Sequence, residues 1–170
     1  MGNKSHMMME LMPLSLATHI DKRNGTQFPF HVAIDIMLQL AKAMRYLHNK
    51  KPQKIVHRDL KPSNILVKPL PKSPKGYMQV ELADFGESKL YNKTETSSLQ
   101  MHMVGTHVYA APEVFTQEVV LDNNNPKFPS KADVWSFAMV CSEILTGKAH
   151  FIDEPVIGLR CSNQRTWHLT

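Results

Sequence analysis

Ile55-Val56-His57-Arg58-Asp59-Leu60-Lys61-Pro62-Ser63-Asn64-Ile65-Leu66-Val67 is the stretch that decides the fold of this 170-residue chain. Two short, β-branched, apolar pieces flank a polar run. Pieces of that kind favour strands, so the polar run reads as a loop held between strand ends. The loop brings an acid, a lysine and an amide together at short, fixed spacing.

The neighbouring segments extend this frame. Gln79-Val80-Glu81-Leu82 reads as another short strand. Between it and Ile65-Leu66-Val67 lies Lys68 to Gly76, whose Pro69, Pro71 and Pro74 mark a stiffened surface hairpin loop. A hairpin from Ile65 to Leu82 brings Asn64 and Asp84 to the same mouth. Upstream, His31 to His48 is a helix: Ala33, Met37, Leu40, Met44 and Leu47 fall at helical spacing, and Val32, Ile36 and Ala43 widen the stripe. Pro29 and Phe30 precede it, and Pro52 ends the polar linker that follows. Downstream, Ser130 to Gly147 is a second helix. Ser130 and Asp133 have capping-box spacing, and Gly147 is a natural stop. Its apolar residues wrap nearly all round, which places it in the middle of a core. Asp84 to Glu113 is rich in Ser, Thr and Asn with little periodicity, a pattern that is usually functional. Asp122 to Pro129 is a further polar loop, and no internal repeat is visible.

Composition bounds the class. Apolar residues make up 42% and charged residues 21%, which fits one soluble globular domain with its own core. No stretch is long and apolar enough to span a membrane. The first nine residues do not form a secretory signal, and Gly2 is followed by His6 where a myristoylation motif has Ser or Thr. Cys141 and Cys161 have neither zinc-site nor disulfide-framework spacing, Cys141 reads as a core thiol, and a cytosolic or nuclear compartment fits. The net charge of +5 is uneven: Lys42 to Lys75 carries ten Lys or Arg and one acid, Asp59, giving +9, and the remainder carries −4. Such a zone could meet nucleic acid, a phosphate site or plain solvent. Only Tyr46 interleaves with the cations, which argues against nucleic acid.

The quoted loop resembles the catalytic loop of protein kinases, H-R-D-x-K-x-x-N of the Ser/Thr type. Three further segments follow in the family's order. Asp84-Phe85-Gly86 matches the metal-binding D-F-G, 25 residues after Asp59. Gly105-Thr106 with Tyr109-Ala110-Ala111-Pro112-Glu113 matches the end of the activation segment, and Asp133-Val134-Trp135-Ser136-Phe137 matches the start of the central helix. Met9-Glu10-Leu11-Met12 looks like the hinge that meets adenine. The resemblance covers roughly residues 7–150. It implies an α+β, mainly α-helical fold: a kinase C-lobe with short β-hairpins at the catalytic cleft. The expected organisation is 1–12 as the last strand of the N-lobe and hinge, 13–150 as the C-lobe and 151–170 as an atypical tail.

The resemblance also implies roles, with ATP and Mg2+ as cofactors. Asp59 orients the substrate hydroxyl and accepts its proton, and Lys61 points at the transferring phosphate. Asn64 and Asp84 bind magnesium through oxygen, as that hard cation requires. Thr106 bonds near Asp59 and Lys61. Arg58 pairs with a phosphate on the activation segment, with Thr94, Thr96, Ser97 and Ser98 as acceptors for an upstream activating kinase. Glu10 and Met12 offer backbone groups to adenine, with Met9 as gatekeeper and Leu66 on the pocket floor; otherwise Met7 to Met12 is a short buried strand. His57 packs beneath the metal-binding segment, and Asp133 caps its helix, holds the loop backbone, or does both. The partners are a protein substrate and ATP.

The chain also departs from the pattern. Its seven glycines include no G-x-G, and only eight residues precede Met9, so the small lobe is expected to be missing. Phe151 to Thr170 has no clear helical pattern, and Arg160 and Arg165 are weak partners for Glu113. Two readings follow. One is a Ser/Thr kinase catalytic domain present in part, truncated at both ends and with little activity alone. The other is a non-catalytic, kinase-like module that binds a partner.

Overall fold

In the computed structural model, the described residues are 8–71, 73, 75–91, 107–112, 114, 121–122, 125–126 and 130–148. The first predicted helix becomes α2 (Phe30–His48), which follows a shorter α1 (Leu16–Lys22). The apolar stripe of α2 buries Val32, Ala33, Ile36, Leu40, Met44 and Leu47. No helix was expected at α1, yet the cues are present. Ser15 Oγ accepts from the Thr18 N–H at 3.1 Å, and Leu16 and Ile20, one turn apart, are both buried.

The strands are short. β1 (Leu14–Ser15), β3 (Ile65–Pro69) and β4 (Met78–Leu82) form one antiparallel sheet in the order β1-β3-β4. β2 (Lys54–Val56) pairs with β5 (Lys89–Tyr91), and β6 (Leu121–Asp122) with β7 (Asn125–Pro126). The helix α3 (Lys131–Thr146) comes last, and single 3-10 turns lie at Pro62–Asn64 and His107–Tyr109. The predicted strands and hairpin are present, with Ile65 opposite Leu82 and Pro69 opposite Met78. β5 lies inside the stretch read as irregular, because its partner β2 is far away in sequence. Helices with small antiparallel sheets make the fold α+β.

One core joins α1, α2, β3, β4 and α3: Leu16, Ile20, Phe28, Ile36, Leu40, Leu60, Ile65, Val67, Met78, Val140 and Ile144 are among its buried members. Side chains of this size each stabilise by roughly 1.5–3 kcal/mol when fully buried. Leu60 belongs to both core and loop, so the packing that holds the sheet also anchors the loop that carries Asp59.

Three expectations are corrected. α3 is not buried on all sides: Val134, Trp135 and Leu145 are each more than 40% exposed. Its inward face is partly polar instead, with Asp133, Ser136 and Glu143 buried beside Val140 and Ile144. Residues 8–12 are not a buried strand; Met8, Met9 and Leu11 stand in solvent. Cys141 is half-buried rather than a core thiol, and burial pushes its pKa up to about 11.

Gly147 ends α3 at φ 70°, the left-handed conformation that costs glycine nothing. An added Cβ would sit 3.0 Å from the Thr26 carbonyl oxygen, in the turn that Arg23 staples by donating from Nε to the same oxygen. Gly147→Ala is expected to destabilise by about 1–3 kcal/mol. Urea unfolding would read this as a lower midpoint; an unmoved midpoint would mean the turn yields freely.

Candidate active site

The loop from His57 to Asn64 is built around a carboxylate that comes from far away in sequence. Asp133, on the first turn of α3, is 1% exposed. Its oxygens accept the backbone N–H of His57 at 2.9 Å and of Arg58 at 2.8 Å, and lie 2.7 Å from His48 Nε2 at the end of α2. The capping-box expectation is corrected here, because Ser130 makes no side-chain cap bond and the loop backbone occupies the Asp133 carboxylate. Of the two roles considered for Asp133, it performs the second. Arg58 needs the support: its φ of 71° is rare for a residue with a long side chain, and such positions cost about 1–3 kcal/mol.

His57 is buried and links the loop to the next segment. Its Nε2 lies 3.0 Å from the Ala83 carbonyl, and Asp59 N–H points at its Nδ1 at 3.4 Å. These partners together assign the tautomer with the proton on Nε2. Its ring packs 5.0 Å from the Phe85 ring, beneath the Asp84-Phe85-Gly86 segment as expected.

Asp59, Lys61 and Asn64 form one cluster. Lys61 Nζ lies 2.7 Å from Asp59 Oδ2. Asn64 Nδ2 donates to both Oδ2 and the main-chain oxygen of Asp59, each at 2.9 Å. The amide nitrogen is thereby committed to Asp59, which leaves the Asn64 amide oxygen as the atom able to ligate a hard cation. The 3-10 turn at Pro62–Asn64 sets this spacing, with Pro62 at a position where its missing N–H costs nothing.

The hairpin carries Asp84 to the same mouth. Beyond the Ile65–Leu82 pair, Ala83 N–H donates to the Asn64 carbonyl at 2.9 Å, so Asn64 and Asp84 leave adjacent strands at one end. Asp84 is exposed and adopts φ 62°, and its Oδ1 accepts from Gly86 N–H at 3.2 Å. That is the turn-forming geometry of an aspartate, and a carboxylate still has lone pairs for a cation.

The other predicted residues divide. The Glu10 side chain pairs with Lys68 Nζ at 2.9 Å on the surface, leaving only its backbone for a ligand. Met12 and Leu66 are half-buried, and Leu66 pairs with Ser15 and Glu81 across the sheet. Thr94, Thr96, Ser97, Ser98, Thr106 and Glu113 lie outside the described residues.

The chain matches the protein kinase domain over residues 2–166. It belongs to the protein kinase family. It is 40% identical over 167 residues to a light-sensor protein kinase of Ceratodon purpureus, covering 89% of this chain and 12% of that one. It is 35% identical over 153 residues to serine/threonine-protein kinase 12 of Arabidopsis thaliana, covering 90% of this chain and 30% of that one. It is 38% identical over 146 residues to kinase and exchange factor for Rac B of Dictyostelium discoideum, covering 85% of this chain and 12% of that one. The chain therefore spans less than a third of the length of these relatives.

The protein kinase family is a family of ATP-binding transferases. The donor set fits magnesium: the Asn64 amide oxygen and the Asp84 carboxylate are both hard ligands and would hold it together with further oxygen donors. Among the described residues no group of three or more His, Cys, Asp or Glu gathers as a metal site, and no helix is long and apolar enough to cross a membrane.

Three partners in this kinase domain were missed at the sequence level. His48 reads locally as the end of an amphipathic helix. Glu143 is 1% exposed and accepts from Tyr109 Oη at 2.7 Å, and Ser136 Oγ donates to the Tyr109 carbonyl at 2.7 Å. Burial first, and then the bond to Glu143, raises the Tyr109 phenol pKa above its ordinary value. The one local signal was an acid set in an otherwise apolar helix.

Proposed function

We propose that this chain is the catalytic-loop lobe of a protein serine/threonine kinase. By that reading residues 1–12 would be the last strand of the N-lobe and the hinge, 13–150 the C-lobe and 151–170 an atypical tail. The parent reaction moves the ATP γ-phosphoryl group to a Ser or Thr hydroxyl of a protein. Asp59 receives that hydroxyl by hydrogen bond and takes its proton. Lys61, already 2.7 Å from Asp59, places a cation where negative charge develops. Asn64 and Asp84 would hold magnesium, whose contribution is to neutralise and orient the phosphates. Arg58 awaits an anion from the activation segment, within Thr94 to Ser98. Glu10 and Met12 would bond adenine through their backbone, above Leu66.

The observation that carries this reading is the Asp59–Lys61–Asn64 cluster at one mouth with Asp84. The second reading is a kinase-like module that binds a partner without catalysis. A chimera separates them: this chain replaces the matching stretch of the Arabidopsis relative. Transfer to serine peptides is expected, with Asp59→Asn lowering kcat by about 10²–10⁴. A chimera that folds and binds Mg2+-ATP but transfers nothing would leave the partner-binding module as the answer.

A further inference from the structure

Away from the cleft, α2 carries a second organised face. Its exposed positions are Phe30, His31, Ile34 and Leu38, then Lys42, Arg45 and Tyr46, which recur by the turn of the helix. That spacing places them on one stripe, opposite the buried Val32, Ile36, Leu40 and Met44. The stripe changes character halfway along. Phe30, Ile34 and Leu38 are 74%, 43% and 49% exposed and form an apolar ridge at i, i+4 and i+8. The later turns are cationic, and Lys50 extends them: its Nζ lies 2.8 Å from Tyr46 Oη and 4.9 Å over the Tyr46 ring, folded back along the helix.

Nothing nearby in sequence neutralises this end. The one acid between Lys42 and Lys75 is Asp59, which is engaged with Lys61 and Asn64. On α2 itself, Asp35 accepts from Gln39 Nε2 at 2.7 Å.

We propose that this face docks an acidic amphipathic helix of a protein partner. The partner's apolar residues at helical spacing would pack on the Phe30–Ile34–Leu38 ridge, as ridges of one helix seat against another. Acids one or two turns further on would meet Lys42, Arg45 and Lys50. Charge argues against a second copy of this chain: parallel pairing sets like cations together, and antiparallel pairing sets cations on the apolar ridge. A bilayer fits less well. Surface-lying helices carry their apolar face along their whole length, whereas here apolar and cationic halves succeed each other along the axis.

The probe is a fluorescein-labelled helical peptide with leucines at i, i+4 and i+8 and a glutamate cluster beyond them. Its anisotropy is followed against the purified 170-residue chain at low and high salt. Saturable binding that weakens with salt is expected. Arg45→Glu should weaken it about tenfold and Leu38→Gln about threefold to fivefold, with the urea midpoint unchanged in both because neither side chain enters the core. The proposal is overturned if the peptide does not bind, if neither substitution matters, or if a version with lysines for glutamates binds equally well. Co-sedimentation with phosphatidylserine vesicles in the absence of peptide binding would also overturn it, in favour of a membrane surface.

Discussion

Asp133→Ala destabilises the domain by about 3–5 kcal/mol, a large share of a typical folding free energy. The carboxylate is buried and serves three groups: two backbone N–H groups and the His48 ring. Its removal strands buried donors, each costing about 1–3 kcal/mol. It also removes the bond that holds the Arg58 N–H while that residue adopts its left-handed φ of 71°. Asp133→Asn should fall between, since an amide offers one acceptor and sets its NH2 against the other donor. Urea unfolding supplies the magnitude and amide hydrogen exchange the location. The His57 and Arg58 amides should lose protection first. Parental stability with both amides still protected would show that the loop holds its shape without Asp133.

The purified 170-residue chain is expected to transfer phosphate at least about a thousandfold more slowly than ordinary kinases, whose kcat is about 1–100 s⁻¹. The loose transition state is stabilised almost wholly by positioning and charge, and a single well-placed cation is worth about 10³–10⁵ in rate. These residues supply Lys61 from the loop but no glycine-rich loop over the phosphates. Transfer of labelled phosphate from Mg2+-ATP to a basic protein substrate checks this. Turnover within the ordinary range would show that Asp59, Lys61, Asn64 and Asp84 suffice without a clamp. This measurement is independent of the chimera: a silent isolated chain and an active chimera are both expected.

The strands on either side of the loop were legible because β-branched runs and prolines act over a few residues. The stripe of α2 was legible because its burial repeats every turn. α3 misled because an apolar wrap says nothing about which side meets the core, and its buried face proved to be Asp133, Ser136 and Glu143 together with Val140 and Ile144. β5 was missed because a three-residue strand exists only through its pairing with β2.

The His57–Asn64 loop, the Asp84-Phe85-Gly86 segment and their order belong to the sequence by itself, since short motifs are complete within a few residues. The tertiary structure alone decided how that chemistry is held. Asp133 reaches His57 and Arg58 across 76 and 75 residues, and Tyr109 meets Glu143 across 34. The Asn64 amide is oriented by what its nitrogen finds in Asp59. Those choices rest on which buried donors and acceptors the fold leaves facing one another, and local periodicity carries no record of that.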